Sequence, residues 1–152
     1  MKRLDPKDLG KSEFKLAKAI KGIARDGLDA SEQEIAAYMK SASSHVRDRG
    51  LFQNGWRCSI QGLHLTIYNE QHHAIFVEGG RSAGARPPPL EPIRGWLLRH
   101  GMDPKLAFVV ARAIGQRGIK PRPISRPSLL KITAIVMKNL GKSLGSAIKR
   151  LF

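Results

Sequence analysis

The first fifty residues carry apolar side chains at helical spacing, in two blocks. The first block begins after Ser12 and ends at Gly27, with lysines on its opposite side. The second begins after Ser31, which has the spacing of a capping box with Glu34. The apolar stripe of the first block consists of Phe14, Leu16, Ala17, Ile20 and Ile23, and that of the second consists of Ile35, Tyr38, Met39, Ala42 and Val46. We therefore expect residues 1–50 to form an N-terminal helical hairpin.

The next residues alternate between apolar and polar side chains, which is the pattern of strands with one buried face. The alternating apolar positions are Trp56, Cys58 and Ile60 before the pair Gln61-Gly62, and Leu63, Leu65 and Ile67 after it. A two-residue turn at Gln61-Gly62 pairs Ile60 with Leu63 and places all six apolar residues on one face. We expect a small antiparallel β-hairpin within residues 51–78. Residues 71–78 are too few for their periodicity to distinguish a helix from an edge strand.

Glycines and prolines dominate residues 79–89, which we expect to form a long proline-rich loop. Gly79 and Gly80 permit positive φ and end the apolar segment before them. Three consecutive prolines, residues 87–89, favour an extended conformation and donate no backbone hydrogen bonds. Loops of this length in a compact domain are usually functional or mobile.

Three helices are predicted in residues 90–152. The first has Ile93, Trp96 and Leu97 as its apolar stripe. The second begins with Asp103 as its N-cap and Pro104 in its first turn, and Gly118 ends it. Its expected buried residues are Leu106, Val109, Val110 and Ile114. The last helix begins near Ser128, and its expected stripe is Leu129, Ile132, Val136, Leu140, Leu144, Ala147 and Leu151. The sequence as a whole predicts an α+β fold in a single domain over residues 1–152.

Charge is distributed unevenly along the chain. The formal net charge is +15, from 27 Lys and Arg residues against 12 Asp and Glu residues. Residues 1–78 carry 12 basic and 10 acidic side chains, whereas residues 79–152 carry 15 basic and 2 acidic side chains. Four lysines of the last helix lie within about 20° of one line, opposite the predicted stripe. The side chains expected to contact an acidic partner or DNA are Arg122, Arg126, Lys131, Lys138, Lys142 and Lys149.

This basic helix leaves three interpretations open: contact with a nucleic-acid backbone, contact with an anionic membrane, or a face simply exposed to water. Few aromatic residues accompany the lysines, which weakens the case for single-strand binding by base stacking. No named nucleic-acid-binding motif is present. A basic nucleic-acid-binding protein is therefore the alternative to the function that the motifs below imply.

No pattern of residues predicts catalysis, a metal site or a cofactor site. The neighbouring His72 and His73 cannot share a strand or helix face, and no third ligand is indicated. Cys58 fits a core position, and as the single cysteine it excludes an internal disulfide. The glycine-rich residues 79–84 lack the lysine of a phosphate-binding loop. We expect a protein that is not an enzyme and, since the N-terminus lacks an apolar signal stretch, is intracellular.

Three motifs follow one another in the second half of the chain. Asn69 precedes an apolar segment, Ala74–Val77, that leads into Glu78-Gly79-Gly80. A Pro-Pro-Leu-Glu-Pro run at 88–92 is followed by Trp96, and Arg117 precedes Gly-Ile-Lys-Pro-Arg-Pro at 118–123. In order and spacing these motifs resemble the tail-completion or head–tail joining (neck) proteins of long-tailed bacteriophages. The similarity covers about residues 56–150, with His73 where the family often has tyrosine, and the N-terminal helical region does not match.

The resemblance implies a structural virion protein that joins or completes the tail at the head–tail interface, as part of an oligomeric ring. Its implied partners are further copies of itself and neighbouring neck and tail proteins, with a passing contact to DNA and none to a membrane. Its implied location is the virion, and the host cytoplasm during assembly. Loops make many contacts in such rings, so the expected interface residues are Glu78, Gly79, Gly80, Arg81, Arg86, Pro87, Pro88 and Pro89.

Overall fold

The computed structural model describes residues 6–46 and 48–150, with their side chains from residue 13 onward. These residues form six α-helices, two 3₁₀ turns and one two-stranded antiparallel sheet, which confirms the predicted α+β class. The elements are α1 (Pro6–Ala42), α2 (Leu51–Asn54), β1 (Trp56–Gln61), β2 (His64–Asn69), α3 (Ala74–Gly79), α4 (Leu90–Arg99), α5 (Ala107–Arg117) and α6 (Ser125–Lys149), with 3₁₀ turns at Ser44–Val46 and Pro104–Leu106. Leu151, which was predicted in the last stripe, lies outside the described residues.

The chain divides into two compact units. The first unit comprises the residues up to Gln71 and those from Ser125 onward, and contains α1, α2, both strands and α6. The second unit comprises His72–Ile124 and contains α3, α4 and α5. The single domain expected over residues 1–152 stays a prediction.

One helix of 37 residues, α1, stands where a helical hairpin was predicted, and that prediction is wrong. Gly27 does not end a helix, because it is buried and lies directly against Leu140 of α6. Ser31 does not cap a new helix, because its hydroxyl donates a hydrogen bond of 2.7 Å to the Gly27 carbonyl one turn earlier. Both small residues contact α6, and α1 continues through them without a break.

The two strands form the predicted hairpin, but their register differs from the prediction by two residues. Ile60 pairs with Leu65 rather than with Leu63, and Gln61 pairs with His64. The turn therefore consists of Gly62 and Leu63, and Gly62 adopts a φ of 62° that suits the first position of a tight hairpin turn. A shift of two residues keeps the apolar side chains of the paired positions on one face. Leu63, which was predicted on that face, lies in the turn and is exposed. The single cysteine, in β1, is buried as expected.

The long helices α1 and α6 pack against each other in the first unit, but not with all the predicted faces. The residues that α6 buries are Ser128, Ile132, Ile135 and Asn139. This buried face is rotated by about 90° from the predicted stripe, at about 100° per residue. The apolar residues that were predicted to be buried but are exposed are Phe14, Leu16, Ala17, Ile20, Leu129 and Leu144.

In the second unit, α4 and α5 pack around a small core of Ile93, Leu97, Ala107 and Ala111. Helix α5 turns its alanines inward, so the predicted core residues Leu106 and Val109 are exposed instead. The predicted cap is confirmed, since the Asp103 carboxylate accepts a hydrogen bond of 2.9 Å from the Lys105 amide. Gly118 follows the last residue of α5 with a φ of 73°, as expected for a residue that ends a helix. The segment left open between helix and strand contains the short helix α3.

Candidate functional site

Two of the motifs that carry the phage resemblance lie side by side in the second unit. The end of α3 and the connector after α5 are joined by backbone hydrogen bonds: Arg122 N–H donates to the Val77 carbonyl at 2.8 Å, and Arg81 and Ile119 exchange two bonds of 2.9 Å. The Glu78 carboxylate accepts from the Ile124 amide at 3.1 and 3.2 Å. The turn at 78–81 and the connector at 118–124 therefore form one element, which we call the turn–connector clamp.

Close backbone contact explains why this clamp contains glycine at two particular positions. A Cβ at Gly80 would lie 2.5 Å from the Ile119 carbonyl oxygen, and a Cβ at Gly118 would lie still closer to the Arg81 carbonyl oxygen. Both glycines have positive φ, near 70°, which other residues rarely adopt. Gly79 lacks both constraints, because a Cβ there would meet nothing within 4 Å. Three of the predicted interface residues, Glu78, Gly80 and Arg81, thus also make contacts within the second unit.

The proline-rich loop lies against α5 instead of extending freely. The Arg81 guanidinium lies over the Phe76 ring at 5.6 Å and donates to the Arg86 carbonyl. Gly84 N–H donates to the Gly115 carbonyl at 2.8 Å. Among the expected interface residues, Arg86, Pro87 and Pro89 are exposed together with Gly79, and Pro88 is half-buried. The loop is therefore held against α5. We call its exposed residues Arg86, Pro87 and Pro89 the exposed tip.

An apolar depression of about 470 Å³ adjoins this region within the second unit. Trp96 lines it and is 37% exposed, so the expectation that this side chain is buried in the core is wrong. Its ring stacks on His100, with the centroids 4.5 Å apart. The other residues that line the depression are His73, Pro92, Ile93, Val110, Ile114 and Ile119. Among the described residues, those that line it are apolar except for His73, so it can accept an apolar group from outside.

The lysines of α6 form one row, but they flank the buried face of the helix rather than oppose it. The ammonium of one member, Lys138, pairs with the Glu34 carboxylate of α1. The predicted contacts Arg122, Arg126, Lys131, Lys142 and Lys149 are exposed. The prediction that the row lies directly opposite the buried stripe is therefore wrong, although four of the six predicted basic residues share one side of α6.

A polar cluster between α1 and α6 was not predicted from the sequence. Asn139 is buried, and its amide donates to the Ser31 hydroxyl and to the Glu34 carboxylate, both at 3.2 Å. Hydrogen bonds from Lys138 and then from Asn139 hold the pKa of Glu34 below its ordinary value. The sequence signal for this cluster is Asn139 itself, a polar residue that shares a helical face with Ile132 and Ile135.

The histidine, cysteine and carboxylate side chains of the described residues do not form a cluster that could bind a metal ion. The described residues contain no set of three or more His, Cys, Asp or Glu side chains able to hold a metal ion. Cys58 is buried, and desolvation, followed by the charge of Glu32, raises the pKa of its thiol. Across residues 6–46 and 48–150, no helix is long and apolar enough to cross a membrane.

Comparison of the chain with protein-family models, curated proteins and solved structures gave no match. The residues and their geometry therefore carry the functional argument. Two features are the candidates for contact with other molecules. One is the turn–connector clamp with its loop, and the other is the surface of α6 with its exposed apolar and basic side chains.

Proposed function

We propose that this chain is a structural assembly protein of a phage neck or tail, which joins or completes the tail at the head–tail interface as part of an oligomeric ring. The observation that carries the proposal is the turn–connector clamp. Its two segments, at 78–81 and 118–124, contain motifs that resemble the neck family and are about 40 residues apart in the sequence. Their direct contact supports the resemblance, because it gives the motifs a common structural role.

Exposed apolar side chains on both units support an assembly role. Phe14 and Leu16 of α1 are more than half exposed in the first unit, as are Phe108 and Val109 of α5 in the second. A closed ring of identical subunits uses heterologous contacts, in which each subunit offers two different patches. Separate apolar patches on α1 and α5 fit that requirement. The partners in this proposal are other copies of the chain and the adjacent neck or tail proteins.

Within this proposal, the exposed tip of the loop is the part of the predicted interface that is available to a neighbouring subunit. Arg86 supplies charge there, and Pro87 and Pro89 supply rigid apolar surface whose immobilisation costs little entropy. The protein would be found in the virion neck, and in the host cytoplasm before assembly.

The proposal is tested by electron microscopy of phage particles that lack this protein. We expect filled heads and separate tails, and complementation with the wild-type chain should restore joined virions. Arg86→Glu should restore fewer joined particles than the matched charge reversal Arg49→Glu, which alters an exposed arginine of the first unit. Normal joined virions in the complete absence of the protein would refute the proposal.

Nucleic-acid binding is a second candidate, and the composition of α6 favours it: the helix carries five basic residues and no acidic residue. Phosphate contacts made by lysines release counterions, so affinity for duplex DNA should fall steeply as the salt concentration rises. Titration at two salt concentrations, with wild-type protein and with Lys131→Glu/Lys149→Glu, tests this candidate. Binding that is weak and unaffected by the substitutions would exclude it.

A further inference from the structure

The outward side of α6 carries a row of large apolar residues, which we call the outer stripe. It consists of Leu130, Met137, Leu144 and Ile148, whose exposed fractions are 86%, 64%, 51% and 48%. At about 100° per residue these four side chains lie within about 40° of each other, opposite the face that packs on α1. The packing of α6 on α1 uses the opposite face of the helix, so it does not require the apolar residues of the outer stripe.

Small residues lie between the outer stripe and the lysine row. Ala134, Gly141 and Gly145 occupy this position, so the helix surface forms a groove with the outer stripe as one wall and the lysines as the other. The positions Leu130, Ala134, Met137, Gly141, Leu144 and Ile148 are spaced four, three, four, three and four residues apart. This is the spacing of a helix-packing seam, and it extends over about 27 Å at 1.5 Å per residue.

Among the residues that the structure describes, none packs against the glycines of the groove. A Cβ at Gly141 or at Gly145 would meet nothing within 4 Å, so intramolecular packing does not require either glycine. Glycine in the middle of a helix is less stable than alanine. Close approach of another backbone does require small residues at such positions, as in closely packed helix pairs.

Charge identifies the kind of partner that fits. The groove has lysines along one wall and no acidic residue anywhere on α6. A second copy that docked here through its own α6 would bring a second lysine row against the first, and like charges brought together oppose binding. A membrane would place anionic headgroups on both sides of the outer stripe, whereas the lysines lie on one side. Nucleic acid would pair with the lysines but leave the outer stripe in water.

We propose that the groove of α6 is a docking site for an acidic amphipathic helix of a partner protein. The apolar edge of that helix packs on the outer stripe, its backbone approaches Gly141 and Gly145, and its carboxylates face Lys131, Lys142 and Lys149. The inference depends on this face of α6 and stands independently of the neck assignment. Its failure is distinguishable from failure of the neck assignment, which electron microscopy of particles tests.

The probe is a labelled synthetic helix of about 20 residues, long enough to follow the groove, with leucines on one face and glutamates along one flank. Its twin has glutamine at every glutamate position. Fluorescence anisotropy with the full-length chain should show that the acidic peptide binds at least about tenfold more tightly than the glutamine twin, since several charge pairs are lost. Equal affinities for the two peptides, or no binding of the acidic peptide, would overturn the proposal.

Two matched pairs of variants locate the site. Gly141→Leu fills the groove and should weaken binding of the acidic peptide at least about tenfold, whereas Gly22→Leu, at another helical glycine with open space around it, should change it less than about twofold. Lys131→Glu/Lys149→Glu should also weaken it, whereas Lys15→Glu/Lys18→Glu on α1, with the same change in net charge, should not. Equal effects within either pair would overturn the proposal.

Three further measurements examine the other occupants. Anionic lipid vesicles and duplex DNA are tested by co-sedimentation and anisotropy, and self-association is tested by sedimentation equilibrium. If any of these interactions is stronger than peptide binding and is abolished by Gly141→Leu, the groove belongs to that occupant and the proposal is wrong. If Gly141→Leu leaves all three unchanged while peptide binding is lost, the proposal is supported.

Discussion

Leu140 of α6 packs directly on Gly27 of α1. A Cβ built on Gly27 would lie 2.7 Å from Leu140 Cδ2 and 2.9 Å from Leu140 Cα, so even a methyl group does not fit. The Leu140 backbone therefore comes close to α1 at a position where α1 has no side chain. This contact, together with the Ser31 hydroxyl bond one turn later, lies where the sequence alone indicated a break between two helices.

Gly27→Ala should therefore destabilise the protein, although alanine is the better helix former. We expect a loss of about 1–3 kcal/mol, the usual cost of inserting a methyl group into a packed interior. Gly22→Ala is the matched control, because a Cβ there meets nothing within 4 Å, and it should stabilise α1 by up to about 1 kcal/mol. Urea unfolding followed by circular dichroism measures both. Equal stabilisation by the two substitutions would contradict the contact.

Local sequence patterns predicted the elements whose causes are local. The Asp103 cap, the glycine that ends α5 and the alternation of the two strands each depend on a few neighbouring residues, and each is present in the structure. The hairpin register was missed because the positive φ falls to the first of the two turn residues, Gly62, and not to the second. Either register buries the same face, so hydrophobic periodicity could not distinguish them.

Features that depend on packing between distant residues were missed. Gly27 and Ser31 are strong local signals for a helix end and a helix start, but long-range packing overrode them. Helix α6 has apolar residues around more than half of its circumference, so hydrophobic periodicity alone does not determine which face is buried. Asn139 favours the face that is buried, because its amide donates hydrogen bonds to Ser31 and Glu34 of α1. The turn–connector clamp could be anticipated from the motifs but not its hydrogen bonds.

The Glu34 carboxylate should make stability depend on pH. Hydrogen bonds from Lys138 and Asn139 lower its folded-state pKa, so its contribution is present above the unfolded-state pKa and is lost as pH falls through the folded-state pKa. Wild-type protein should therefore lose stability on acidification more than Glu34→Gln does. Urea midpoints measured at steps from neutral to strongly acidic pH check this.

A matched lysine pair isolates the cause of that pH dependence. Lys138→Ala removes the largest contribution to the lowered pKa of Glu34 and should reduce the difference between wild type and Glu34→Gln. Lys149→Ala removes an exposed lysine that lies beyond the cluster and should leave the difference unchanged. Parallel pH curves for wild type and Glu34→Gln would show that the ion pair contributes no linkage.

Adjacent glycines of the turn–connector clamp should respond oppositely to alanine. Gly80→Ala should destabilise the second unit by about 1–3 kcal/mol or more, because the residue has a φ of 71° and a Cβ would lie 2.5 Å from the Ile119 carbonyl oxygen. Gly79→Ala ends a helix in open space and should be neutral or mildly stabilising. Amide hydrogen exchange within His72–Ile124 measures the local effect. Similar exchange in the two variants would argue against the clamp.

The Cys58 thiol should be protected from modification while the first unit is folded. It is buried on β1, and desolvation raises the pKa of the thiol, so both access and thiolate content are reduced. Reaction with a thiol-specific disulfide reagent at mildly alkaline pH should be at least about tenfold slower in native protein than in urea. Thr66→Cys in a Cys58→Ala background is the control, because residue 66 is exposed on the opposite face of β2 and should react at similar rates in both conditions. Fast native labelling of Cys58 would contradict the buried position of this side chain on β1, which contacts α1.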